Sequence, residues 1–153
     1  MFGKQSSEVE IKASSSKAWS VYSTLKVCSI IQSELSHLIG LEIIQGNGEE
    51  GTVAQITPHP DVSTLPAYKE KFTKIDHENR VKILEVIEGG QLDLGFTCYR
   101  MIYKVINTQK EDSTTIRVTI EYEGLEDVIA STNIAPVMKV LEVINHCIEN
   151  DKY

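Results

Sequence analysis

The sequence has no surplus of positive charge: 15 lysines and arginines stand against 22 aspartates and glutamates, a formal net charge of −7. Neutralising phosphates takes concentrated Lys and Arg, so nucleic acid is not an expected partner and a nuclease role gains no support. Cysteine is scarce, odd in number and widely spaced. Cys28, Cys98 and Cys147 form neither a disulfide framework nor a CxxC metal pair, and they read as reduced and mostly core. His37, His59, His77 and His146 stand at no ligand spacing, so no metal is expected. No apolar run approaches the roughly 18 residues of a membrane span. The segment Met1 to Ser7 lacks the apolar stretch of a secretory signal, so a cytoplasmic protein without a membrane partner is expected. There is no GxSxG, and no serine has a recognisable base and orienting acid beside it, so hydrolase chemistry has no footing.

What is present is an ordinary globular composition, 41% hydrophobic and 24% charged over 153 residues. That length fits one domain, 1–153, able to bury roughly 70% of its unfolded surface. Ser7 to Lys12 alternates as a strand, and Ser14 to Ser16 offer N-caps to a helix holding Ala18, Trp19, Val21 and Tyr22. A second short helix carries Ile30, Ile31, Leu35 and Leu38. From Leu41 the pattern turns to strands: Leu41 to Ile44, then Thr52 to Thr57, then Tyr68 to Ile75 and Arg80 to Ile87 flanking the polar turn Asp76-His77-Glu78-Asn79. Gly89-Gly90 ends that pair. The segment Thr57 to Pro66 holds three of the four prolines and reads as a loop. Two long strands follow, Leu94 to Ile106 and Thr114 to Glu123. Val137, Val140, Leu141, Ile144 and Ile148 then mark an amphipathic helix, with Pro136 in its first turn. This order predicts an α+β fold in which helices pack on one face of a curved antiparallel sheet and an internal ligand cavity lies beneath it.

Gly46-Asn47-Gly48-Glu49-Glu50-Gly51 matches GxGxxG and follows a strand. The residues after it, Thr52 to Ile56, alternate as a strand, so no helix N-terminus is available for a pyrophosphate, and two glutamates would repel one. The loop reads as a turn between adjacent strands.

The stretch from Glu42 to Thr52 resembles the glycine-rich loop of the birch pollen allergen family, the plant pathogenesis-related class 10 proteins. Tyr68-Lys69-Glu70-Lys71-Phe72, Asp76, Arg80, Lys82 and Val86 to Gly95 resemble its norcoclaurine-synthase-like branch. The resemblance implies a seven-stranded antiparallel sheet gripping a long C-terminal helix, with two short helices after the first strand and a tunnel between. It also implies a cofactor-free Pictet-Spengler condensation of an aromatic amine with an aldehyde, with the catalytic tyrosine, glutamate and lysine at Tyr68, Glu70 and Lys82. The branch's catalytic aspartate falls on Met101, which takes one acid out of the constellation. A substrate other than dopamine follows as an expectation, an aldehyde-derived alkaloid or terpenoid intermediate.

Read from the residues, Tyr68, Glu70 and Phe72 lie two apart and share a strand face, while Lys69, Lys71 and Thr73 take the other. A hairpin closing at Asp76 and Asn79 turns Lys82 and Leu84 to the same side as Glu70 and Phe72. Tyr99, Met101 and Tyr103 alternate inward on the next strand. Ile116, Val118, Ile120 and Tyr122 are expected to form the far wall, and Met138 and Leu141 the helix side of the tunnel. A carboxylate and an ammonium buried there would move toward neutrality in pKa, the condition for acid–base work. Two alternatives stay open: Glu70 and Lys82 as a partly exposed cross-strand ion pair, and the chain as a non-catalytic carrier of a small hydrophobic ligand such as a hormone, alkaloid or terpenoid. A monomer or weak homodimer is expected.

Overall fold

The computed structural model describes all 153 residues. β1 (Phe2–Ile11) is followed by α1 (Ser15–Tyr22) and α2 (Lys26–Glu34). Six strands come next: β2 (Ile39–Gln45), β3 (Val53–Pro58), β4 (Tyr68–Asp76), β5 (Val81–Gly89), β6 (Phe96–Asn107) and β7 (Thr114–Gly124). α3 (Glu126–Ile129) and the long α4 (Ala135–Glu149) complete the chain. The seven strands form one sheet in the order β1-β7-β6-β5-β4-β3-β2, antiparallel throughout. Only β1 leaves sequential order. Its pairing with β7 puts β1 and β2 at opposite edges, and α1 and α2 are the connection between those edges. This is the seven-stranded helix-grip arrangement that the family resemblance implied.

The local chemistry explains the elements. Ser14 is extended and its hydroxyl accepts from the Lys17 amide at 3.2 Å, closing the first turn of α1. Pro136 sits in the first turn of α4, where the amide it lacks has no helical partner. Along β7, Ile116, Val118, Ile120 and Tyr122 are all buried while the residues between them are not. Each such side chain contributes roughly 1.5–3 kcal/mol of burial. The glycine loop is a β2–β3 connection, and a strand follows it directly. Gly46, Gly48 and Gly51 hold φ of 89°, 103° and 92°, values that favour glycine. Buried Thr52 ties the loop together, accepting from the Gly48 amide at 2.9 Å and donating to the Glu49 carbonyl at 2.7 Å.

The main core joins Ala18, Trp19, Val21 and Tyr22 of α1 to Ile116 and Val118 of β7 and to Leu141, Ile144 and Ile148 of α4. A smaller cluster of Val86, Phe96, Tyr99, Ile120 and Tyr122 fills the opposite end of the sheet. Several boundaries differ from the sequence reading. β1 begins at Phe2 rather than Ser7. Arg80 has φ 52° and belongs to the turn, not to β5. Leu94 belongs to a 3₁₀ turn over Gly90–Leu94 rather than to β6, because left-handed Gly89 and Gly95, with φ 73° and 107°, bracket that segment. α3 has no counterpart in the sequence reading.

Candidate active site

Beneath the curved sheet lies a cavity of about 330 Å³ lined by 24 residues, 17 of them hydrophobic. Its floor comes from three neighbouring strands. β4 supplies Tyr68, Glu70 and Phe72, β5 supplies Lys82 and Leu84, and β6 supplies Tyr99, Met101 and Tyr103. The register explains the shared face. Glu70 pairs with Val86 and Phe72 with Leu84, and a bulge between Phe72 and Lys74 brings Ile75 opposite Lys82. Lys82, Leu84 and Val86 therefore stay in step by two. Leu84 then pairs with Met101, and Lys82 with Tyr103.

Glu70 and Lys82 are the only charged residues lining the cavity, and both are buried, at 7% and 2% exposure. No ion pair joins them, which overturns the partly exposed cross-strand pair left open above. The Lys82 ammonium instead donates to the Tyr22 carbonyl at 3.0 Å and lies 4.1 Å from the centre of the Phe72 ring. Burial pushes the Glu70 carboxyl up to about 7, with the Lys82 charge pulling the other way. Burial lowers the Lys82 pKa against the opposing influence of Cys28 and Glu70. Tyr68 and Tyr103 are each held well above the usual phenol range, first by burial and then by the Glu70 charge. Tyr22 stacks on Tyr103 with ring centres 5.9 Å apart, and its hydroxyl donates to Asn145 of α4 at 2.6 Å.

Two of the expected lining residues lie elsewhere. Leu141 is 1% exposed and packed in the main core, and Met138 lines a separate groove between α4 and β1. The cavity side of α4 is formed by Val137, Val140 and Ile144, because that stripe is offset by one residue, about 100° around the helix, from the stripe holding Met138 and Leu141. Ile116, Val118, Ile120 and Tyr122 are likewise core rather than wall: they pack in the two hydrophobic clusters. The roof contains Tyr22 of α1 and Val27, Cys28 and Ile31 of α2; of these, Cys28 was expected in the core. Gln91 on the 3₁₀ turn also lines the cavity.

The sheet order, the grip on α4 and the internal cavity agree with a known family. A model of the Pathogenesis-related protein Bet v 1 family matches residues 1–150. The chain belongs to that family. Within it, the chain is similar to norbelladine synthase of Narcissus pseudonarcissus, 35% identical over 136 residues that cover 88% of this chain and 83% of that one. It is also similar to S-norcoclaurine synthase of Thalictrum flavum subsp. glaucum, 40% identical over 117 residues, 75% of this chain and 54% of that one. The chain thus spans from about half to under two thirds of the norcoclaurine synthases it matches. Among solved structures, the Thalictrum flavum norcoclaurine synthase in complex with dopamine and hydroxybenzaldehyde superposes with a TM-score of 0.86 at 30% identity, covering 100% of this chain and 90% of that one. A point mutant of that synthase, in complex with a transition-state analogue, gives 0.88 over 100% of this chain and 98% of that one, also at 30% identity. Ginseng major latex-like protein 151 from Panax ginseng, 20% identical with a TM-score of 0.77, covers 99% of this chain and 97% of that one and shares the Bet v 1 fold.

Proposed function

We propose that this Bet v 1 family protein condenses an aromatic amine with an aldehyde, without a cofactor, and closes the resulting iminium into an alkaloid-type product. The observation that carries this is the Glu70 carboxyl, buried in an apolar cavity without a counter-ion and titrating near 7. Such a group gains and loses a proton at neutral pH with little driving force either way, as a general acid–base must. Its cost to the fold is justified by use.

The amine nitrogen attacks the carbonyl carbon, and its proton passes to the new alkoxide, giving a carbinolamine. The Lys82 ammonium, made more acidic by burial, protonates the departing hydroxyl, so that water leaves and the iminium forms. The ring carbon of the amine then attacks the iminium carbon. Glu70 takes the proton that this ring carbon releases, restoring the aromatic sextet. Tyr68, beside Glu70 on the same strand face, positions the ring. With Met101 on the floor, Glu70 is the sole carboxylate of the cavity, so it is the base of the scheme while Lys82 supplies the acid. The apolar lining favours aldehydes with a hydrophobic tail, including terpenoid ones.

The test is product formation from panels of arylethylamines and aldehydes. Wild type exceeds the buffer rate, Glu70→Gln loses about 10²–10⁴-fold in kcat, and Lys82→Ala is also impaired. kcat/KM rises with pH through about 7 as Glu70 ionises. If product never exceeds the buffer rate, or both variants match wild type, the catalytic reading is wrong. The predominance of hydrophobic lining, 17 of 24 residues, supports a second reading in that event, sequestration of a hydrophobic ligand. Calorimetry at micromolar concentrations would then show binding without turnover.

A further inference from the structure

The condensation scheme leaves several polar side chains of the cavity unused, Ser63, Gln91 and Asn133 among them, and of these Gln91 is the one with an orphaned atom. The Gln91 amide oxygen is buried with no hydrogen-bond partner. Buried acceptors are nearly always satisfied in folded proteins, so an orphan on the wall of a ligand cavity marks the place of a donor brought by the ligand. The backbone is built to put Gln91 there. A Cβ on Gly89 would lie 2.3 Å from the Ala67 carbonyl oxygen, and one on Gly90 would lie 2.7 Å from Cβ of Tyr68. Only a glycine pair lets the chain turn this tightly against Tyr68 and enter the 3₁₀ turn that carries Gln91.

Tyr99 lines the same cavity; burial pushes the pKa of its hydroxyl up, and the neighbouring Gln91 side-chain amide acts weakly the other way. Tyr22, Tyr103 and Tyr122 have their hydroxyls in hydrogen bonds within the protein, whereas the Tyr99 hydroxyl has none, so its proton is available to a ligand. Together the two residues offer one free acceptor and one free donor, side by side on the apolar wall. We propose that Gln91 and Tyr99 form a recognition station for a ring hydroxyl of the aromatic substrate. A phenolic hydroxyl donates to Gln91 while accepting from Tyr99, whereas an ammonium lacks the acceptor and a methyl ether lacks the donor. The station is remote from Lys82. Lys82 pairs across the sheet with Tyr103, four residues from Tyr99 and thus roughly 13 Å along β6. A substrate ring held at Gln91 spans the floor, with its reacting end toward Glu70 and Lys82.

This inference rests on the amine–aldehyde reading for its substrate, but its test needs no turnover. The full chain is titrated calorimetrically with 4-ethylphenol, 4-ethylanisole and ethylbenzene. Wild type binds the phenol about tenfold more tightly than the other two, the worth of one to two well-made hydrogen bonds. Gln91→Met and Tyr99→Phe each shrink that preference to less than about threefold while ethylbenzene affinity is kept, which shows that the cavity is intact. The station is refuted if wild type has no preference or binds none of the three probes. It is equally refuted if the preference survives Gln91→Met, or disappears instead in Lys82→Met, which would place the hydroxyl at the other pole. A protein that discriminates the phenol in this way but forms no condensation product keeps the station and loses the reaction.

Discussion

Replacing Glu70 with Gln removes a buried ionisable group whose cost to the fold has a definite dependence on pH. The Glu70 carboxyl moves from its ordinary 4.5 to about 7 on folding. Below pH 4.5 it is neutral in both states and costs nothing on this account. Between pH 4.5 and 7 the unfolded chain ionises while the folded one holds the proton, so the folded state binds more protons and stability falls as pH rises. Above 7 both forms are ionised and the loss levels off. A shift of this size, at about 1.4 kcal/mol per pH unit, corresponds to about 3 kcal/mol. Glu70→Gln keeps the shape and discards the charge. The variant is expected to match wild type near pH 4.5 and to exceed it by about 3 kcal/mol at pH 8, or about 6–12 °C in Tm for a chain of this length. The gain is an upper figure, because the substitution also removes an attraction that helps hold Lys82. Urea melts of both proteins at pH 4.5, 6 and 8 give the comparison directly. A difference that stays flat with pH, or a variant less stable at pH 8, would show that the carboxylate is solvated or paired and would remove the basis for its role as a base.

Three other outcomes follow. At pH 7 Glu70 is about half protonated, and a cationic arylethylamine beside it favours the carboxylate; binding should release about half a proton, read as buffer-dependent heats in phosphate and Tris and lost in Glu70→Gln. Met101→Asp places a second acid on the cavity floor. It should cost about 1–3 kcal/mol in urea melts and strengthen binding of the amine relative to the matching alcohol about tenfold; equal gains for both ligands would deny that the position faces the amine. Cys28, 5% exposed on the roof, has its thiol pushed up by burial. Peptide mapping after limited treatment with a disulfide reagent should find Cys98 modified first, and Cys28 slower still when ethylbenzene occupies the cavity.

The strand faces were legible because period-two alternation survives any error in strand ends. Tyr68, Glu70 and Phe72 share a side whether β4 begins one residue early or late. The bulge between Phe72 and Lys74 was not legible, yet it sets which residue faces Lys82. The α4 stripe was visible as a helix, but not its division of labour. Val137 and Val140 face a void, Leu141 and Ile148 face packed core, and Ile144 touches both; both environments select the same apolar side chains. The same ambiguity moved Ile116 to Tyr122 from wall to core. Tyr22 and Cys28 became lining residues only through the docking of α1 and α2 over the sheet, a tertiary placement that local patterns do not encode. Gln91 left a trace in the sequence: the Gly89-Gly90 pair signalled a sharp turn, though not the side chain it delivers.

The bond from Lys82 to the Tyr22 carbonyl has a consequence for how charge is kept in this protein. Tyr22 is the last residue of α1, and the final carbonyls of a helix carry the negative end of its dipole. The lysine is thus held by a peptide carbonyl, which does not titrate, rather than by an ion pair with a carboxylate, which does. Had Glu70 been its counter-ion, one proton would have governed both charges, and every turnover at Glu70 would have loosened Lys82. With a helix end in that role, Lys82 keeps the same hydrogen-bond acceptor whether Glu70 is charged or neutral, so the position of the lysine does not depend on the protonation of the glutamate.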